Sequence, residues 1–360
     1  MRNTIKLSDT ISIVLSKDEH GFQEVLDDLP NTGVFDVVTF NISSKESALL
    51  KTIKQLSPDV RVRVVTNIPN RYEQYYSDKA QEKARDQIRS YLKQLNPTQY
   101  VAEMSAFFSY DTHCKLFATE NVAYMGSGNF SDESARNFEC GVIIRDKAVI
   151  KELVDMVFAA VTESADQHKG NAIATTIIQL NAVGARLKSL LADYEDLFYS
   201  ETDEYASPNF RYFEWQDPRA TEADLDALSN LLDELDNILA DMQDDGQQEP
   251  IARAFSMKQI EKTRAAVLPD EPLHNFITHD SDSFMQSWIE DNGIYVDDGH
   301  DGAAEDAANE DFDKRSELAD EAKPVVKAMM QSMKGVLSEI EATTGALKKI
   351  QISNRHIDNT

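Results

Sequence analysis

The chain has 360 residues, with 63 Asp+Glu against 36 Lys+Arg, a formal net charge of −27, and two cysteines, Cys114 and Cys140. That length holds more than one hydrophobic core, while two cysteines without ligand spacing exclude a disulfide framework or a Cys-rich zinc site and read as small buried apolar residues. No run of eighteen apolar residues is present to span a membrane. The N-terminal MRNTIKLSDTISIVLSKDE lacks the apolar core and cleavage site of a secretory signal, so a cytoplasmic protein without stable membrane insertion is expected.

In chain order, the first 165 residues alternate strand and helix patterns: TISIVLS, a helix around FQEVLDDL, VFDVVTFNIS, a helix over KESALLKTIKQL, then DVRVRVVTNI. The helix KAQEKARDQIRSYLKQL follows, then QYVAEM, a hairpin, CGVIIRD and the helix AVIKELVDMVFAAVTESA. This is an α/β layout, a mixed β-sheet with helices on both faces. We therefore expect one domain over residues 1–168. Residues 169–360 are expected to form an acidic, mostly α-helical assembly or regulatory region, with a disordered linker near 296–313.

The helical region carries three apolar stripes. Ile173, Ile177, Leu180, Leu187, Leu191 and Tyr194 form the first. Leu225, Leu228, Leu232, Leu235, Leu239 and Met242 form a coiled-coil seam behind a capping box at Thr221 and Asp224. Val326, Met330, Met333, Leu337, Ile340, Thr344 and Leu347 repeat the spacing after Pro324, which is expected to start the helix afresh. The stripes suit either an intramolecular bundle or a partner surface. SETDEYASPNFRYFEWQDPR, acidic with five aromatic residues, is either a docking element or buried on that bundle. His274 and His279 beside Asp280 and Asp282 match no ligand pattern, so no metal and no cofactor are expected.

Charge is uneven. Residues 1–168 hold 19 Lys+Arg against 24 Asp+Glu, and the remainder 17 against 39, or −5 and −22. Within the first part, Arg61, Arg63, Arg71, Lys79, Lys83, Arg85, Arg89 and Lys93 make a basic stretch, read either as the flank of a substrate groove or as a mixed-charge helix face. Arg71 and Tyr72, with Tyr75 and Tyr76, stand at the end of a strand, where α/β folds build ligand crevices. Base stacking and plain packing are both open for them.

The segment HCKLFATENVAYMGSGNFSDESARNFECGVIIRD, 113–146, gathers the residue types that handle a phosphodiester without a metal. An imidazole attacks phosphorus, and a lysine ammonium and an asparagine amide neutralise the phosphoryl oxygens. His113 and Lys115, two apart on an extended strand, point to one face. Val122 and Tyr124 then form the returning strand, which brings Ser127 and Asn129 toward that face through a turn permitted by glycine.

This pattern, His113-x-Lys115 followed by Gly126-Ser127-x-Asn129, resembles the signature of the phospholipase D superfamily, with Glu120 where an Asp is usual and a turn one residue shorter. The resemblance covers about the first 165 residues and implies that fold and a metal-independent phosphodiesterase. His113 would be the nucleophile, Lys115 and Asn129 would bind phosphoryl oxygens, Ser127 would add a donor, and Glu139 would orient His113. Gly126 and Gly128, with Arg71 and Tyr72, would line the substrate. None of the other six histidines has a lysine two positions on, so the resemblance implies a homodimer that joins two His113 side chains in one site.

The leading expectation is a nuclease similar to single-motif bacterial nucleases, serving in defence against foreign DNA. Its acidic half would dock a partner protein such as an ATPase or helicase. A phospholipid phosphodiesterase or phosphatidyl transferase is one alternative, and a catalytically inactive scaffold is another.

Overall fold

A computed structural model describes residues 1–43, 47–68, 78–200, 211–213, 220–292 and 302–358. The chain divides into two compact units. The first comprises Met1–Asn70, Lys79–Ala182 and Leu347–Thr360, and the second includes Val183–Ala346. The boundary expected at 168/169 thus falls at 182/183, inside a helix, and the turns from Leu347 return to the first unit.

In chain order the first unit holds β1 (Arg2–Lys6), β2 (Ile11–Ser16), α1 (Gln23–Asp28), β3 (Val34–Thr39), α2 (Ala48–Lys54), β4 (Arg61–Asn67) and α3 (Asp78–Gln94). Then come β5 (Glu103–Ser109), β6 (Leu116–Ala118), β7 (Ala123–Gly126), β8 (Glu139–Ile144), α4 (Lys147–Thr162), β9 (Asp166–His168) and the start of α5 (Ala172–Asp196). These strands form one mixed sheet in the order β1-β2-β8-β7-β6-β3-β4-β5-β9. β3, β4 and β5 run parallel, Val37 opposite Val64 and Val64 opposite Ala106, and the other neighbours are antiparallel.

Apolar alternation decides which face each side chain takes. One face packs Phe35, Val37, Val62, Val64, Phe117 and Tyr124 against α1, α2, α3 and α5 through residues such as Val25, Leu50, Tyr91 and Ile178. The other packs Val38, Val65, Leu116, Ala118 and Ala123 under α4, whose Ile150, Val154, Val157 and Phe158 recur three and four apart. Helices therefore cover both faces, as the sequence pattern implied. Side-chain caps start three of them: Ser47 accepts from Leu50 N at 3.1 Å, Asp146 accepts from Ala148 N at 3.0 Å, and Asn171 Oδ1 accepts from Ala174 N at 2.8 Å.

Three local expectations need correction. β1, five mostly exposed residues with no apolar alternation, was not expected, and it forms because β2 offers it an open edge. β5 lies a few residues beyond QYVAEM, since Pro97–Gln99 makes a 3-10 turn that delays the strand. Cys140 is exposed rather than buried, because it sits on the α4 side of β8, where its cross-strand neighbour Leu15 is itself 39% exposed.

The second unit holds the rest of α5 and a short hairpin of β10 (Phe198–Ser200) and β11 (Arg211–Phe213). It continues through α6 (Glu222–Asp244), α7 (Glu249–Ala254), α8 (Lys258–Ala266), α9 (Pro272–Ile277), α10 (Ser281–Asp291) and most of α11 (Ala303–Asp358). The stripes expected on α5 and α6 are buried, and the capping box forms, with Thr221 N donating to Asp224 at 2.7 Å. Ala227, Leu231 and Ile238 are buried on α6 as well, a face wider than a two-position seam. Phe198 and Phe213 pack on each other, and Phe213 packs on Phe276, so these aromatic residues are buried.

Residues 303–313 are helical rather than a linker, and Pro324 does not restart the helix. An interior proline costs about 3 kcal/mol. Burial of Leu318, Ala319, Ala322, Val326 and Met329 on both sides of exposed Pro324 offsets that cost. Ala307 is buried, and Asp311 is held by His279 Nε2 at 2.7 Å, which anchors the acidic start. That contact also gives His279 a structural partner in α11.

Candidate active site

β6 and β7 form the hairpin implied by the sequence, Phe117 opposite Tyr124 and Ala118 opposite Ala123. Its turn is tied down from outside. Thr119 Oγ1 donates to Asp28 at 2.6 Å, Asn121 Nδ2 donates to Asp28 at 3.0 Å, and Glu120 accepts from Gly33 N at 3.1 Å and from Thr32 Oγ1. The extra methylene of Glu120 is thus spent reaching the loop before β3.

At the other end of the hairpin stand the residues expected to carry chemistry. His113 and Lys115 precede β6 rather than lying within a strand, yet their side chains meet. Lys115 Nζ lies 3.2 Å from His113 Nδ1 and 3.3 Å from Nε2, and donates to the His113 carbonyl at 2.9 Å. Lys115 is 7% exposed and His113 is exposed. Burial lowers the Lys115 pKa below its ordinary value, against the opposing pull of Cys114 and Glu139.

Glu139 is buried at the start of β8, where it accepts a hydrogen bond from Ser127 Oγ. Ser127 Oγ also accepts from Cys140 N at 3.0 Å, and Ser127 N donates to Cys140 O at 2.9 Å, which fixes the turn to β8. Glu139 therefore stands beside Ser127 and acts on Lys115 through its charge.

Two glycines make this turn possible. A Cβ at Gly126 would overlap the Tyr124 hydroxyl and come within 2.6 Å of Gly141 Cα, and one at Gly141 would overlap the Tyr124 ring. Tyr124 OH in turn accepts from Gly128 N at 3.3 Å, and burial pushes its pKa up to about 12, so it stays neutral.

Asn129 is held by its backbone, its N–H donating to Ser134 Oγ at 2.8 Å and its carbonyl accepting from Ser131 N at 2.8 Å. Its side-chain Oδ1 is buried without a hydrogen-bond partner among the described residues. The same is true of Asn41 Oδ1, Thr66 Oγ1 and Asn67 Oδ1, which follow or end β3 and β4. Unsatisfied buried oxygens are few in folded proteins, and these three, among others found in the described residues, lie at the C-terminal ends of parallel strands, where α/β folds bind ligands.

Sequence reasoning missed these three and also Phe40, whose ring lies 4.7 Å from that of His113 and 5.3 Å from Lys115 Nζ. They come from strands far away in the chain, and no motif announced them. Arg71 and Tyr72, with Tyr75 and Tyr76, lie outside the described residues, as do the side chains of Lys79, Lys83 and Arg85. Arg61 and Arg63 do not flank this site. They open β4, at its other end, where Arg63 is paired with Asp36 at 2.6 Å. The described residues contain no group of three or more His, Cys, Asp or Glu side chains able to hold a metal ion. No helix among them is long and apolar enough to cross a membrane.

Residues 32–160 match a family model described as cardiolipin synthase, PLD-like domain. No curated protein matches the chain. Among solved structures, the phospholipase D family member Nuc from Salmonella typhimurium is similar at 12% identity, over 44% of this chain and 98% of that one, with a TM-score of 0.32. NucT from Helicobacter pylori is 13% identical over 40% and 88%, with a TM-score of 0.29. The phosphatidylserine synthase of Haemophilus influenzae Rd KW20 is 14% identical over 46% and 42%, with a TM-score of 0.33. With the mixed sheet and the motif hairpin in place, residues 32–160 form a domain of the phospholipase D superfamily.

Proposed function

We propose that the chain is a metal-independent phosphodiesterase, specifically a nuclease, that works as a homodimer through a phosphohistidine at His113. The observation that carries this reading is the meeting of the exposed His113 ring with the buried Lys115 ammonium, in a motif whose Asn129 amide oxygen is buried without a hydrogen-bond partner among the described residues. An imidazole nitrogen of His113 attacks phosphorus, a P–N bond forms, and the bond to the leaving oxygen breaks. Lys115 and Asn129 hold the non-bridging oxygens as charge develops on them. Water then attacks the phosphohistidine and frees His113.

The leaving oxygen needs a proton, and the other histidines of the first unit's main part do not suit that task. His20 stacks on Phe22 at 4.6 Å, and burial lowers its pKa. His168 is buried against the Leu92 carbonyl at 2.9 Å. The acid is accordingly assigned to His113 of a second copy, which later deprotonates the attacking water. Exposed apolar residues beside the motif, Met125 at 42% and Phe138 at 64%, favour such an approach. The −22 charge of residues 169–360 repels nucleic acid, so this half is assigned to assembly or to docking a protein partner in defence against foreign DNA.

The test incubates wild type and His113→Ala with labelled single- and double-stranded DNA, RNA and phospholipid vesicles in excess EDTA. Cleavage of nucleic acid by wild type alone, with an acid-labile phosphoryl adduct on His113, is expected. Lipid turnover without nucleic-acid cleavage would replace the nuclease reading. Activity surviving in His113→Ala would overturn the mechanism.

A further inference from the structure

A cavity of about 300 Å³ opens at the other end of the sheet from His113, under the first turns of α4. That volume is at the small end of metabolite pockets. Val34, Ile150 and Val154 give it an apolar lining, and Arg61, Arg63, Lys147 and Lys151 bring four cations to it.

Two of those cations are committed within the protein. Arg63 donates through Nε at 2.6 Å and Nη2 at 2.9 Å to Asp36, which is 4% exposed, and its guanidinium lies 4.2 Å from the Phe158 ring centre. Lys151 pairs with Asp155 at 2.6 Å. The side chains of Arg61 and Lys147 make no hydrogen bond and no ion pair with the described residues, and Arg63 Nη1 is likewise unclaimed. The third carboxylate, Glu120, is bound through Thr32 and Gly33. The Asp155 carboxyl is held below its ordinary pKa by Lys151 first and then by Arg63 and Arg61, which is the sign of a locally positive field.

We propose that this cavity binds a small organic phosphate of about nucleoside-monophosphate size. Arg61, Lys147 and the free edge of Arg63 take the phosphate, and the Val34, Ile150 and Val154 lining takes the organic body. Arginine with its plane fixed by a carboxylate and an aromatic ring is preorganised for such an anion. Its volume of about 300 Å³ suits a discrete small molecule better than a continuous polymer backbone. Both this cavity and the candidate active site use the β6–β7 hairpin, Glu120 at its tip and Lys115 about 15 Å away along an extended strand. The proposal does not depend on the nuclease reading.

Calorimetric titration of the full chain with AMP, adenosine and inorganic phosphate tests it, on wild type, Arg61→Ala, Lys147→Ala and Lys115→Met. AMP should bind wild type and Lys115→Met alike, bind each cavity variant about tenfold more weakly, and weaken with salt. Adenosine should not bind. The two truncated side chains lose no hydrogen bond or ion pair with the described residues, so unchanged thermal unfolding is the check that both variants fold. Loss of AMP binding in Lys115→Met with retention in the cavity variants would assign the heat to the active site and overturn the proposal. Equal binding of adenosine, or no binding of AMP at millimolar concentration, would overturn it too.

Discussion

The two units use buried charge differently. In the second, Arg186 is fully buried and paired with Glu234 at 2.7 Å. In the first, the buried Lys115 has the ring and carbonyl of a neighbouring histidine for partners, and the side-chain oxygens of Asn41, Thr66 and Asn67, at the ends of β3 and β4, have no hydrogen-bond partner among the described residues. One buried cation is ion-paired to a carboxylate of its own unit, and the other has only neutral groups as hydrogen-bond partners. Burial alone therefore does not separate a structural charge from a chemical one, whereas the presence of a carboxylate at ion-pair distance does.

The strongest way to break the comparison is at the buried ion pair. Arg186→Ala should cost about 3–5 kcal/mol by leaving Glu234 uncompensated, read as a fall in denaturation midpoint, while Arg186→Met with Glu234→Leu should regain most of it. Lys115→Met should do the reverse. Its stability should stay within about 1 kcal/mol of wild type, and phosphodiester cleavage should fall about 10²–10³-fold, as for loss of one transition-state donor. A Lys115→Met protein that keeps its activity would remove Lys115 from the mechanism.

Acidity sharpens the same contrast. Burial lowers the Lys115 pKa, so its positive charge is lost, as pH rises, earlier than that of an ordinary lysine. The alkaline limb of the pH–rate profile should begin below the usual lysine range and vanish in Lys115→Arg, whose guanidinium stays charged. Gly141→Ala should cost about 1–3 kcal/mol by displacing Tyr124, with activity falling as the Tyr124 contact to Gly128 is lost. The smallest effect is expected at the helical cap, where Thr221→Ala should cost about 1 kcal/mol by thermal unfolding and leave cleavage unchanged.

Much of the site was legible because the motif is local. His113 to Glu139 lies on one hairpin and the strand that pairs with it, so spacing and alternation suffice to bring Lys115, Ser127 and Glu139 together. Phe40, Asn41 and Asn67 were not legible, because parallel pairing of β3 and β4 brings them there from distant parts of the chain. Arg61 and Arg63 show the same limit. Alternation tells which face a side chain takes but not which end of the sheet a basic stretch will occupy. The helical stripes were readable from their three-and-four spacing, whereas continuation through Pro324 depended on burial on either side, which a local rule about proline does not contain.

The last turns of α11 have a consequence for synthesis. From Leu347 onward they belong to the first unit, where Lys348 pairs with Asp166 at 3.0 Å and Lys169 donates to Gln351 at 2.6 Å. Asp166 also receives the Tyr110 hydroxyl at 2.8 Å, three residues before His113. The ribosome must therefore make the entire Val183–Ala346 unit before the first unit receives its final segment. A chain released early lacks that brace behind His113, so completion of the candidate active site is tied to completion of the acidic unit in the same molecule.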